Sequence, residues 1–317
     1  MNNACEATKG NGSICGKPAK YEAEGKKYCG IHAKKFTDKV ELAGPSKEKK
    51  VQKKVIESST AIAAAAAAES PILQHQHTVI DARKRNASNK SHGKLMISVV
   101  EGRTLPDLVH GYERIYIEPK YQSRQDGICY SELHPSQLGP VRHGNDKFPP
   151  ARTLDAYHRY NMVYKKDLKK STAANAMPSI DPSFYEAQLI GYKDKEPSIK
   201  KGTGKMEMYV LYIGNNELHI DKQGAREVFC KQYHRLIKNT DMFLDLLQRT
   251  KLGYNLDIVG LPNSHKLESS MKSCEQAFKS FDHSFLAAQV LFTVLLYHAK
   301  DHSESDLPWN KFEKLSL

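Results

Sequence analysis

The sequence predicts an α+β protein: one mixed globular domain preceded by a small metal knuckle and a basic, low-complexity linker. Three observations predict this. Strand-like and helix-like stretches follow one another over residues 93–317 without the strict alternation of a doubly wound sheet. Three of the six cysteines crowd into the first 29 residues beside His32. Between these regions the composition turns to lysine, alanine, glutamine and histidine, with little to build a core. The expected boundaries are 1–36, 37–92 and 93–317.

The first segment reads Cys5-x9-Cys15-x13-Cys29-x2-His32. Three thiols and an imidazole match the donor preference of tetrahedral Zn2+. Gly10, Gly12, Gly16, Gly25 and Gly30 supply tight turns. Apolar material is sparse, so metal binding is expected to provide most of the folding free energy of this segment. With all four ligands used, the ion has no open position and is structural. Cys129, Cys230 and Cys274 are scattered, which argues against a disulfide framework and for a reducing, intracellular compartment. The start, MNNACEATKG, has no apolar stretch of the kind a signal peptide carries, and the apolar run Phe285 to Tyr297 is too short to span a membrane.

Residues 37–92 hold the cluster Lys47, Lys49, Lys50, Lys53 and Lys54 and an alanine tract from Ala61 to Ala68. Gln74-His75-Gln76-His77 and Arg83-Lys84-Arg85 follow. The first 58 residues carry 13 lysines against 7 acidic residues, half of the +12 formal charge of the chain. Such a run is either a solvated tail or a sequence-independent phosphate-binding segment, which makes nucleic acid the expected partner of the linker.

In the third segment Lys94 to Glu101 and Tyr112 to Tyr121 read as strands, and Tyr130 to Val141 as a loop punctuated by proline and glycine. Leu154 to Leu168 reads as a tyrosine-rich helix and Met208 to Ile213 as a strand. From Gly224 to Leu261 the pattern is helix, break, helix, glycine stop, strand. Ala225, Phe229, Tyr233 and Leu236 share one helical face. Thr240 offers the cap of the second helix, which carries Phe243, Leu246 and Leu247. Gly253 sits where a left-handed stop is needed, before Leu256 to Val259. Phe281 to Lys300 is apolar on nearly all faces, the mark of a buried helix.

No glycine-rich nucleotide loop, nucleophile elbow or paired-histidine zinc helix is present. The polar and aromatic residues that remain cluster on one loop (Glu132, His134, Gln137) and one helix (Asp155, Tyr157, His158, Arg159, Tyr160, Asn161). Aromatic rings beside a carboxylate suit stacking on a base while the charge acts on a ribose. The tyrosines also fit a half-buried core face with hydroxyls at the surface.

Two resemblances can be stated on these residues. Cys5, Lys9-Gly10, Cys15, Tyr28-Cys29 and His32 resemble a short Cys/His module that recurs in proteins of large DNA viruses and in some other genomes. That resemblance implies a viral source, with host cytoplasm or the virion as the location. The loop LHPSQLGPV, the run Thr153-Leu154-Asp155-Ala156-Tyr157, the helix pair from Ala225 to Leu247 and the strand LDIVG together resemble the NADAR family, over about residues 128–262. That family comprises small α+β domains and includes N-glycosidases acting on ribosylated substrates, among them ADP-ribose attached to guanine and a riboflavin-pathway intermediate. The resemblance implies Asp155, Tyr157 and Lys165 as catalytic residues, Glu132, Arg159 and Asn161 as substrate-binding residues, and an ADP-ribose-like ligand. Asp155 replaces the family's glutamate, Arg159 its glutamine and Met162 its lysine, with Lys165 one turn on. Two functions therefore stand side by side: an N-glycosidase, or a catalytically silent nucleic-acid-binding or virion structural protein.

Overall fold

The computed structural model describes residues 5–7, 14–15, 19–23, 25–29, 32–35, 40–41, 70–169, 179–194, 205–261, 267, 270–280 and 286–310. Two compact units divide at residue 68.

In the first unit β1 (Tyr21–Ala23) pairs antiparallel with β2 (Lys26–Tyr28) and with β3 (Val40–Glu41). Gly25, between β1 and β2, has φ 73°, a backbone angle that favours glycine. Its small core is Cys5, Cys15, Ala23, Tyr28, Cys29 and Ala33. Three of those six residues are cysteines, so apolar burial alone holds this unit weakly.

The second unit begins earlier than the composition suggests. Within the expected linker 37–92, residues Pro71–Ser88 form α1. Ser70 Oγ accepts from Leu73 N at 3.2 Å and Pro71 occupies the first turn, a start signal hidden by the low-complexity composition. Val79 and Ala82 are buried, and Asn86 Nδ2 donates to Gly253 O at 2.8 Å and Asn255 Oδ1 at 2.9 Å. The lysine cluster and the alanine tract lie outside the described residues.

The centre of this unit is an all-parallel sheet in the order β4 (Leu95–Val99), β10 (Leu256–Gly260), β5 (Glu113–Tyr116), β6 (Ile128–Cys129). Side chains alternate across it. Leu95, Ile97, Ile115, Leu256 and Ile258 face the main core. Arg114, Tyr116, Asp257 and Val259 face the other way, where Arg114 lies between Asp257 at 3.6 Å and Asp126 at 3.7 Å. Against the core face packs α7 (Ala287–Ala299), buried on nearly every side as its all-round apolar sequence predicts. Residues 281–285 of the predicted helix lie outside the described residues.

The tyrosine-rich helix is shorter than predicted. α2 runs Leu154–Asn161, capped by Thr153, whose Oγ1 accepts from Ala156 N at 3.1 Å. Residues Met162–Tyr164 then leave as β7, pairing antiparallel with β8 (Met206–Ile213), which pairs with β9 (Asn216–Ile220). The reason is local: β-branched Val163 is fully buried in a cluster with Phe184 and Val210, a contact available from a strand at this point. Phe184 belongs to α3 (Pro182–Lys193), whose close approach to α2 depends on Gly191; a Cβ there would meet the Tyr160 ring at 2.2 Å. The predicted helix pair appears as α4 (Lys222–Ile237) and α5 (Asp241–Lys251), with Thr240 as cap and Gly253 at φ 92°. Then α6 (Met271–Ser280) brings Phe278 to the buried Trp309. The result is the predicted α+β class, with a parallel central sheet and an antiparallel one.

Candidate functional site

The first unit gathers Cys5, Cys15, Cys29 and His32 as its sequence spacing predicts. Their ligand atoms lie within 4.8 Å of one another. Cys5 Sγ and Cys29 Sγ each sit 3.5 Å from His32 Nδ1. Burial raises the Cys5 thiol above its ordinary value, so a bound cation is what would favour the thiolate here. Soft donors in this number and proximity can hold a metal ion.

In the second unit a cavity of about 190 Å³ opens at the carboxyl ends of β5 and β10. Ligands of open parallel sheets sit outside these strand ends. Ile117 and Glu118 follow β5, and Leu261 follows β10. His134 comes from the loop, Asp155, His158 and Arg159 from α2, and Ala287 and Ala288 from the first turn of α7. Leu286, just before that turn, has no side-chain acceptor of its own, and Gln289 Oε1 accepts from Leu286 N at 3.1 Å; the positive end of the helix faces the cavity.

The polar groups form two pairs and one singleton. Arg159 Nε donates to Asp155 Oδ1 at 2.6 Å, which fixes the carboxylate. His134 Nε2 lies 3.2 Å from Glu118 Oε1. Its Nδ1 accepts from Ser136 N at 3.2 Å and faces Ser136 Oγ at 2.7 Å, so the ring proton belongs on Nε2, toward Glu118. The singleton is His158, 7% exposed between Phe229 (4.9 Å) and Tyr209 (5.4 Å). Among the described residues neither ring nitrogen has a partner. Burial, helped by nearby Arg159, pushes its pKa down to about 4, so the imidazole is neutral at pH 7. A buried polar group left unpaired is costly and rare.

The residues expected to act together are not all together. Asp155 and Arg159 share the cavity face of α2. Tyr157, two residues from Asp155, is turned to the opposite side by the helical period and is buried against Tyr192 and His143. Asn161 is fully buried; its Oδ1 accepts from Gln188 Nε2 at 2.7 Å and from the Tyr192 hydroxyl, which makes it a core residue. Lys165 is exposed beyond β7, because the chain leaves the helix at Asn161. Glu132 is exposed on a short 3-10 turn and does not line the cavity. Glu118 escaped the sequence reading; its signal was its place just past the end of a strand. The Lys-rich segment expected to meet nucleic acid lies outside the described residues. Cys230 and His234 form no dyad: Cys230 is fully buried with its thiol pushed far up, and His234 faces His298 at 3.3 Å.

Among the described residues no helix is long and apolar enough to cross a membrane. No family model, curated protein or solved structure matches the chain.

Proposed function

We propose that the second unit is an N-glycosidase for ribosylated or ADP-ribosylated substrates, with Asp155 at its centre, and that Cys5, Cys15, Cys29 and His32 hold a structural Zn2+. One observation carries the enzyme reading. Two carboxylates, two imidazoles and an arginine, one imidazole being buried without a partner, line a single cavity at the carboxyl ends of a parallel sheet.

The chemistry asked of these groups is modest. Cleavage of an N-glycosidic bond breaks C1′–N, leaves the electron pair on the base nitrogen and builds positive charge on the sugar. Asp155, fixed by Arg159, stabilises that charge and orients a water. The water gives its hydroxide to C1′ and its proton to Glu118, whose carboxylate His134 Nε2–H holds in place, and Glu118 passes that proton toward the leaving nitrogen. The departing base takes a proton in turn. The amino end of α7 favours a negatively charged part of the substrate. Tyr157 and Lys165 have no part in this arrangement.

The test is release of free base from ribosylated and ADP-ribosylated nucleosides by the full chain. Asp155→Asn should lower the rate by about 10²- to 10⁴-fold, the usual worth of a positioned acid–base group. Lys165→Ala should leave it unchanged. Full activity in Asp155→Asn, or no release by the wild type, would sink the reading. For the metal, one equivalent of zinc in the purified protein supports the assignment, and retention of zinc after Cys29→Ser with His32→Ala contradicts it.

A further inference from the structure

The other side of α2 faces a second cavity, of about 320 Å³, whose chemistry is different. Arg142 enters from the loop after Val141, and Lys231, Gln232 and Arg235 from α4. Tyr157 and Tyr212 form aromatic walls. Among the described residues no carboxylate lines it. Four arginines of this unit, Arg114, Arg124, Arg159 and Arg249, each pair with an aspartate or glutamate. Among the described residues Arg142 and Arg235 have no such pair. Two acids close in sequence hydrogen-bond to other side chains. Asp146 accepts from Asn215 Nδ2 at 2.9 Å, and Glu227, one turn before Lys231, accepts from Gln223 at 3.3 Å. The third basic residue, Lys231, feels Glu227, so of this cavity's cations the two arginines are the ones without a carboxylate pair among the described residues.

A second observation is independent of charge. Gln232 is 8% exposed, and its buried Oε1 has no hydrogen-bond partner among the described residues. His143 is satisfied: its Nδ1 accepts from Asn145 N at 3.2 Å and its Nε2 donates to Pro149 O at 3.0 Å. Its ring therefore acts as a neutral wall, stacked on Tyr157 at 6.1 Å. The cavity thus offers two guanidinium forks, apolar ring surface and one orphaned acceptor. Guanidinium groups recognise phosphate oxygens bidentately, and an orphaned acceptor calls for a ligand donor.

We propose that this cavity binds a small phosphorylated ligand, its phosphate or pyrophosphate held by Arg142 and Arg235 and a hydroxyl or amino group donating to Gln232 Oε1. The site is separate from the Asp155 cavity and does not depend on the glycosidase reading.

Calorimetric titration of the full chain with pyrophosphate, AMP and a short ribo-oligonucleotide tests it. Arg142→Gln and Arg235→Gln should each weaken pyrophosphate and AMP at least about tenfold, since each removes charge-assisted hydrogen bonds. Gln232→Leu should weaken AMP more than pyrophosphate, which has no ribose hydroxyl or amino group to donate. Lys251→Gln removes one positive charge from a position outside the cavity and should change nothing. Both arginines are exposed, so folding is retained, and an unchanged circular dichroism spectrum verifies it. No saturable binding, binding indifferent to both arginines, or an equal loss in Lys251→Gln overturns the proposal. So does an oligonucleotide that binds more tightly than AMP and depends on Arg235, which would make the cavity part of a nucleic-acid surface.

Discussion

Replacing His158 by Phe separates what this residue does for stability from what it does for function. In the folded protein the ring lies between Phe229 and Tyr209, and both of its nitrogens lack partners. A buried polar group without a partner costs about 1–3 kcal/mol, so Phe, which keeps the ring contacts and drops the polar atoms, should stabilise by that amount at pH 7. A second effect depends on pH. Burial holds the folded pKa at about 4, against an ordinary value of 6.5. Below pH 6.5 the unfolded chain takes up a proton that the folded chain refuses. The unfolded state then binds more protons, so stability falls as pH falls, until the folded histidine also protonates near pH 4. At pH 5 this term is about 2 kcal/mol, and over the whole interval about 3 kcal/mol. His234, also pushed down to about 4 by burial, stays in both proteins and cancels in the comparison. The single tryptophan, Trp309, is fully buried in the second unit, so urea unfolding followed by its fluorescence reads that unit. The variant should lead by about 1–3 kcal/mol at pH 7, and the lead should widen by about 2 kcal/mol at pH 5. A lead that does not change with pH would refute the buried neutral imidazole. A variant less stable at both values would refute the unpaired one. Loss of base release in a more stabile protein would mean that His158 is kept for function at a cost in stability.

Two further outcomes follow from packing and from the Cys/His cluster. Leu246→Ala should destabilise the second unit by about 2–5 kcal/mol in the same unfolding assay, because Leu246 is fully buried in the main core; half-buried Leu247 should cost less, and equal losses would contradict that difference. A chelator should unfold residues 1–36 while leaving Trp309 fluorescence and the urea midpoint of residues 69–317 unchanged, and a coupled loss of both would contradict the division into two units.

What the sequence made legible was whatever rests on local chemistry. The Thr240 cap, the left-handed Gly253, the strand Leu256–Gly260 and the all-apolar α7 follow from residues a few positions apart. So does the Cys/His cluster, whose donor types and spacing carry their own geometry. What stayed hidden rests on distant partners. α1 looks like linker because its sequence is rich in glutamine, histidine, arginine and lysine, and even Ile72, Leu73 and Ile80 stay exposed; Val79 and Ala82 give it a buried face only once the rest of the unit is present. Residues Met162–Tyr164 look like a continuing helix until β8 supplies a neighbour to pair with. The parallel order β4-β10-β5 depends on β10 entering from more than a hundred residues away, and no local pattern announces that insertion. Glu118 became visible as a site residue for the same reason: the strand end that places it acquires meaning from the strand inserted beside it.

The candidate site shows why residues adjacent in sequence make poor partners on a helix. Asp155 and Tyr157 were grouped because a carboxylate beside an aromatic ring suits a ribosylated base. Two residues along an α-helix are about 200° of rotation, which puts them on opposite sides. α4 repeats this division, giving Phe229 to the first cavity and Lys231, Gln232 and Arg235 to the second. The two helices together form a partition, and the chemistry on its two sides differs in kind. On one side each carboxylate is matched by a cation or an imidazole, which holds reactive groups in place with little net field. On the other side two arginines have no carboxylate, which produces a net field and fixes nothing until an anion arrives. The first suits the breaking of a bond and the second suits holding a charged group. For that reason the search for catalytic residues belongs at Asp155, Glu118, His134 and His158, while Tyr157 belongs to a wall for binding.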